Sequence, residues 1–168
     1  MKASQKQKVG KLGLEVTQMG LGGTGFGNMY EAMEDQDAVD TLGAAQTAGI
    51  GYLDTAPLYG YGLSESRLGI ALSHHGRDDL VISTKVGYSL VERTSDEPPN
   101  APFVDIPPLD AVFDYSRDAV LRSIDESLGR LKTDRVDILL IHDPDEGATL
   151  WSPGSDPFAV SHFAEVME

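Results

Sequence analysis

The sequence predicts an α/β fold in which a short N-terminal β-hairpin precedes βα units that wind a parallel sheet or barrel. Three observations predict it. Apolar strand-like runs alternate with segments whose apolar residues recur at helical spacing, the order expected of parallel strands joined by crossover helices. The run at residues 136–141 is almost wholly apolar, as when both faces of a strand are covered. Asp54, Tyr59, Lys85 and His142, four side chains able to move or steer a proton, sit at or just beyond the C-terminal ends of three consecutive predicted strands. In such a fold those ends open onto one face, so the four read as one site.

The elements follow in order. Residues 8–16 carry Gly10 and Gly13 between short mixed segments, the pattern of a hairpin. The first strand of the sheet is expected over 17–21. A polar, glycine-rich loop leads to Asp35, after which Val39, Leu42, Ala45 and Ala48 mark a helix that Gly49 stops. Residues 50–54 form the second strand. Past the turn at 59–62, Ser64 is expected to cap a short helix bearing Leu68, Ala71 and Leu72, with Gly76 as its stop. The third strand is expected over 80–84. From Ser116 an amphipathic helix places Val120, Leu121, Ile124, Leu128 and Leu131 on one stripe, with Arg117, Arg122, Asp125 and Arg130 outside it. The fourth strand occupies 136–141, and residues 157–168 begin another helical pattern. Residues 89–112 interrupt the rhythm with Pro98, Pro99, Pro102, Pro107 and Pro108, a span far longer than usual βα loops. A substrate lid and a loose surface insertion fit that composition equally.

Composition narrows the function classes. The 168 residues suffice for one domain with a real core, and 27 acids against 13 bases leave a formal charge of −14. That charge repels polyphosphate and anionic membranes, so neither nucleic acid nor a membrane surface is expected as a partner. The absence of cysteine excludes disulfides and thiolate metal sites. No run approaches the roughly 20 apolar residues of a membrane span, and the polar, basic start predicts no secretory leader. A cytoplasmic location is expected.

The four side chains suit carbonyl reduction. As hydride adds to the carbon, the oxygen gathers charge and needs a proton donor in reach. Tyr59 serves as that donor, because an ammonium beside a phenol favours its ionised form, and Lys85 supplies the ammonium. Asp54 holds and aims the lysine, and His142 offers an N–H to the substrate oxygen. The hydride must come from a nicotinamide, since no side chain carries one.

The stretches Asp54-Thr55-Ala56-Pro57-Leu58-Tyr59-Gly60, Ser83-Thr84-Lys85-Val86-Gly87 and Leu140-Ile141-His142-Asp143 resemble the aldo-keto reductase family. Its catalytic tetrad is Asp, Tyr, Lys and His in this order. The likeness runs from about Gly10 onward, and Phe113-Asp114-Tyr115-Ser116 with His142-Asp143-Pro144-Asp145 resembles the branch of bacterial sugar and pyridoxal dehydrogenases. The resemblance implies a (β/α)8 TIM barrel with an N-terminal hairpin closing its bottom, and NAD or NADP extended across its top. It maps the nicotinamide contact to Gly23 and Thr24, with Asp54 near the ribose, and implies a small carbonyl or sugar substrate. No metal ligand is assigned.

Other readings compete. Gly20-Leu21-Gly22-Gly23-Thr24-Gly25 satisfies the G-x-G-x-x-G of a Rossmann dinucleotide fold, yet residues 26–34 separate the glycines from the helix that should meet the pyrophosphate. His74-His75 and His142-Asp143-x-Asp145 invite a metal hydrolase, although no paired histidines follow the first strand. Lys85 as a Schiff-base aldolase lysine is a further alternative. So is a non-catalytic remnant or partner of a longer enzyme.

A complete barrel of this class takes about 250 residues, whereas four strands are counted here. Residues 1–168 are therefore expected to be an aldo-keto reductase domain truncated after about four βα units. By resemblance, strands five to eight would bring the nicotinamide-stacking aromatic, the amides that grip its carboxamide and the cations for the cofactor phosphates. The isolated chain is expected to be inactive or nearly so, with edges open to self-association.

Overall fold

The computed structural model describes residues 2–97, 99 and 101–143. Strands β1 (Lys6–Val9) and β2 (Leu14–Thr17) form the expected antiparallel hairpin, with Lys6 opposite Thr17 and Val9 opposite Leu14. Thr17 belongs to this hairpin and not to the next strand. Its hydroxyl donates to the Met19 carbonyl at 2.7 Å and accepts from the Gly51 amide at 3.1 Å, which turns the chain before the sheet begins.

Then come β3 (Gly20–Gly22), a 3-10 turn (Thr24–Gly27), α1 (Asp35–Thr47), β4 (Tyr52–Asp54), α2 (Leu63–His75), β5 (Val81–Val86), β6 (Tyr88–Glu92), β7 (Leu109–Phe113), α3 (Arg117–Leu131) and β8 (Ile138–Ile141). Strands β3, β4, β5 and β8 make one four-stranded, wholly parallel sheet in that order. The first α-helix starts at Asp35, well beyond the glycines at 20–25, so no α-helix N-terminus meets them and the Rossmann reading fails. Among the described residues no helix is long and apolar enough to cross a membrane.

Period-two alternation decides what each strand presents. Leu53 and Ile82 are wholly buried under the helices, in one cluster with Val39 and Leu42 of α1, Leu68 and Leu72 of α2 and Leu131 of α3. Each such side chain contributes roughly 1.5–3 kcal/mol by leaving water. Tyr52, Asp54, Ser83 and Lys85 consequently share the opposite face.

Three further expectations are corrected. Ser64 is not the cap of α2: Gly62, left-handed at φ 89°, precedes the helix, and Ser64 lies buried in its first turn. Its hydroxyl pairs with Thr55 Oγ1 at 2.8 Å and donates to the Gly23 carbonyl at 2.7 Å, because a buried hydroxyl needs partners more than the helix end needs a cap. In α3, capped by Ser116 as expected, the buried line is Ala119, Ser123, Ser127 and Leu131, while Leu121 is 46% exposed. Small side chains let this helix lie close to its neighbours, so the larger apolar stripe is displaced to one side. Strand β8 is not covered on both faces, since Leu139 and Leu140 are exposed. It is the last strand of the described sheet, and nothing described lies beyond it.

The proline-rich interruption connects β5 to α3 as expected, but it is not a loose insertion. Strands β6 and β7 pair antiparallel from Tyr88 opposite Phe113 to Glu92 opposite Leu109. The segment between them folds back onto the loop after β3: the Tyr30 amide donates to Pro102 O at 2.7 Å, and the Val104 amide to Asn28 O at 3.0 Å. The strap thus joins the end of β5 to the end of β3. The helical pattern at 157–168, like Asp145, lies outside the described residues.

A crossing of two glycine backbones sets the position of Tyr59. Gly60 has φ +65°, and a Cβ on it would collide with the Gly27 carbonyl, while a Cβ on Gly27 would lie 2.6 Å from the Gly60 nitrogen. Gly60→Ala is expected to cost about 1–3 kcal/mol in urea unfolding, because neither backbone can yield. A variant as stable as its parent would show that the crossing is not close.

Candidate active site

The parallel ladder sets Asp54 of β4 opposite Ser83 of β5, two residues before Lys85 on the same face. The lysine ammonium therefore reaches its partners without leaving its strand. Lys85 Nζ donates to Asp54 Oδ2 at 2.7 Å and to the Thr55 carbonyl at 2.9 Å. The second carboxylate oxygen, Oδ1, accepts from Ser83 Oγ at 2.6 Å, and the Tyr52 hydroxyl lies 3.0 Å from the same Oγ. Both oxygens of Asp54 are thus held by charge-assisted bonds.

Tyr59 follows β4 in the turn that the Gly27–Gly60 crossing fixes. Its ring lies under the lysine, with Nζ 4.6 Å from the centroid, a cation–π distance. His142 follows the last residue of β8, and its amide prolongs the ladder by donating to Val86 O at 2.9 Å. Its carbonyl accepts from the Tyr115 hydroxyl at 2.6 Å. The imidazole meets the Tyr59 ring edge-on at 5.7 Å and the Tyr88 ring edge-on at 5.4 Å. Asp54, Tyr59, Lys85 and His142 come together as the sequence predicts.

Burial pushes the His142 imidazole down to about 4, with Lys85 adding to the effect while Asp143 and Asp54 oppose it. The ring is neutral at pH 7. An unfolded histidine titrates near 6.5, so between these values the unfolded chain binds a proton that the native chain does not. Its contribution is fully present above about pH 6.5 and is lost as pH falls towards about 4. In urea unfolding across that window, His142→Gln is expected to flatten the acid-side loss of stability relative to the parent. An unchanged slope would mean that the native imidazole is charged.

The proposed cofactor positions behave differently. Gly23 is buried, its amide donates to Asp54 O at 2.6 Å, and a Cβ on it would lie 2.7 Å from that oxygen and 2.9 Å from Ser64 Oγ. The protein's own packing demands glycine there. Thr24 opens the adjoining 3-10 turn and is half-buried. His75 is far in the chain from these residues and contacts the Val39 carbonyl at 2.9 Å. Sequence reading missed Ser83, Tyr52, Tyr88 and Tyr115. The spacings Tyr52-x-Asp54 and Ser83-x-Lys85 carry the signal for the first two, since alternate strand residues share a face.

An acid, a phenol, an amine and an imidazole gathered at parallel strand ends define a candidate acid–base site of the βα-barrel kind. Residues 18–167 match the aldo/keto reductase family, and the chain belongs to that family. Among curated relatives, pyridoxal 4-dehydrogenase of Microbacterium luteolum is 42% identical over 154 residues, which cover 85% of this chain and 44% of that protein. D-threo-aldose 1-dehydrogenase of a Pseudomonas species is 41% identical, over 79% of this chain and 42% of that protein. A solved aldo-keto reductase from Pseudomonas aeruginosa matches with TM-score 0.64 at 35% identity, over 89% of this chain and 54% of that one. One from Klebsiella pneumoniae, solved with NADPH, gives 0.56 at 26% identity, over 77% and 36%. The chain thus spans under half the length of these curated relatives. Its sheet is the half-barrel expected from the sequence, and the family's cofactors are NAD(P)H.

Proposed function

We propose that Asp54, Tyr59, Lys85 and His142 carry the proton-transfer side of an NAD- or NADP-dependent oxidoreduction between a carbonyl and an alcohol. A small sugar or aldehyde is the substrate, as the names of the relatives suggest. One observation supports this reading above others: the Lys85 ammonium is shared between the Asp54 carboxylate and the face of the Tyr59 ring, with His142 against that ring. When bound, the nicotinamide supplies the hydride. Tyr59 gives its proton to the carbonyl oxygen in reduction and takes one from the alcohol in oxidation. Lys85 offsets the charge left on the phenol, Asp54 aims Lys85, and the neutral imidazole donates an N–H to the oxygen. A Schiff base at Lys85 suits this geometry less well, since the lysine's hydrogen bonds are committed to Asp54 and Thr55.

The donor set fits the nicotinamide end of the cofactor, where Thr24 and the backbone beside Gly23 would hold it near Asp54. The phosphates are not matched in the same way. Arg67, Lys85 and Arg93 are each paired to a carboxylate of the chain itself. We therefore propose that residues 1–168 form one truncated reductase domain with little turnover alone, whose open sheet edges accept a complementary half or a second copy.

The test supplies that half. The chain is co-expressed with the C-terminal portion of the pyridoxal dehydrogenase relative, and NAD(P)H is followed with aldose and aldehyde substrates. Turnover that appears only in the pair and is lost with Tyr59→Phe supports both parts. Steady turnover by the chain alone, abolished by the same change, overturns the second part. If neither preparation binds a nicotinamide nucleotide, the non-catalytic remnant is the better reading.

A further inference from the structure

Tyr88 is a part of the site that the proposed reaction does not use. It opens β6, is 3% exposed, and its ring meets His142 at 5.4 Å and Phe113 at 5.1 Å, edge to face in both cases. Its hydroxyl is buried and finds no hydrogen-bond partner among the described residues, and neither does Nδ1 of His142. A buried polar atom left unsatisfied costs about 1–3 kcal/mol, so two of them on rings in contact call for a shared partner. The other donors near His142 are engaged. The Tyr115 hydroxyl is bonded to the His142 carbonyl, Lys85 to Asp54 and Thr55, and the Tyr59 phenol serves the substrate in the proposed reaction.

We infer that Tyr88 is a positioning residue for His142: its hydroxyl donates to Nδ1 through one bridging water, and thereby keeps the imidazole proton on Nε2. A neutral imidazole has one donor and one acceptor nitrogen, and the partner of one decides the role of the other. The far side of the ring agrees. Nε2 lies 3.7 Å from Asp143 Oδ2, too long for a hydrogen bond, but the carboxylate favours a proton on the nearer nitrogen. Burial and Asp143 push the Tyr88 phenol up to about 12, so it remains a donor at neutral pH. The consequence is a preset N–H for the carbonyl oxygen, with no tautomer change needed when substrate arrives. This rests on the reading of His142 as the substrate-orienting donor, yet its test needs no turnover.

The test is long-range ¹H–¹⁵N correlation of the histidine rings in the full 168-residue chain at neutral pH, with His142→Gln identifying the resonance. The parent should show His142 as the Nε2–H form. Tyr88→Phe keeps the ring and removes the hydroxyl, and should raise the share of the Nδ1–H form by roughly fivefold, the worth of one hydrogen bond. Tyr61→Phe, which removes the hydroxyl of a neighbouring buried ring, should leave the ratio as in the parent. An Nδ1–H parent, or an unchanged ratio in Tyr88→Phe, overturns the inference. The parent spectrum decides the first of these even if Tyr88→Phe does not fold. Absence of turnover in the reconstituted parent, with the tautomer as expected, would count against the proposed reaction and not against Tyr88.

Discussion

Tyr59→Phe is expected to lower hydride transfer in the reconstituted protein by roughly 10²–10⁴-fold, the usual worth of a positioned acid or base, while nucleotide binding changes little. The variant keeps the ring that lies 4.6 Å from the Lys85 ammonium and 5.7 Å from the imidazole. Only the O–H is lost, so a collapse of the site is not an alternative explanation. Lys85→Met should cost a comparable amount for a different reason: the phenol keeps its proton but loses the charge that makes its release cheap. A Tyr59→Phe enzyme with nearly parental turnover would place the proton donor elsewhere. Single-turnover measurement of nucleotide oxidation separates the chemical step from product release.

The largest effect on stability is expected at the ion pair between α2 and α3. Glu65 is completely buried, Oε1 accepts from Thr84 Oγ1 at 2.6 Å, and Oε2 accepts from Arg130 Nε at 2.7 Å. These bonds tie two helices to β5 one residue before Lys85. Arg130→Met leaves a buried carboxylate with only a hydroxyl for company and should cost about 3–5 kcal/mol in urea unfolding. Replacing both partners, Glu65→Leu with Arg130→Met, removes the stranded charge and should recover much of that loss. If the double variant is as unstable as the single one, packing and not charge sets the penalty.

Arg130 also illustrates what patterning misses. Its place outside the apolar stripe of the helix predicts a solvated cation, and that holds for a helix considered alone. In the fold, Glu65, in a helix dozens of residues earlier, lies beside it and pairs with no other cation among the described residues. The same limit explains the stripe itself. Hydrophobic spacing finds the side of a helix that avoids water, but which residues are buried depends on how closely the neighbouring elements approach. Ala119, Ser123 and Ser127 permit that approach because they are small. The β6–β7 hairpin was hidden for a related reason. Five prolines mark 89–112 as a loop, although they lie between the paired strands, whose own residues alternate acceptably.

The local rules did hold where chain neighbours supply the partner. Ser116 caps α3 through the Ala119 amide, and Gly76 ends α2. Both depend on contacts within four residues, so no tertiary knowledge is needed.

By itself the sequence determined the parallel βα order, the family, and which four side chains meet, because strand polarity carries distant strand ends to one rim whatever the details of packing. Only the tertiary structure decided how they are held: Ser83 and Tyr52 behind Asp54, Tyr88 against His142, Ser64 spent on Gly23 instead of a helix end, and the strap laid from β5 to β3. Those partners lie on different elements, and a buried polar atom takes whichever donor or acceptor the folded chain brings within reach.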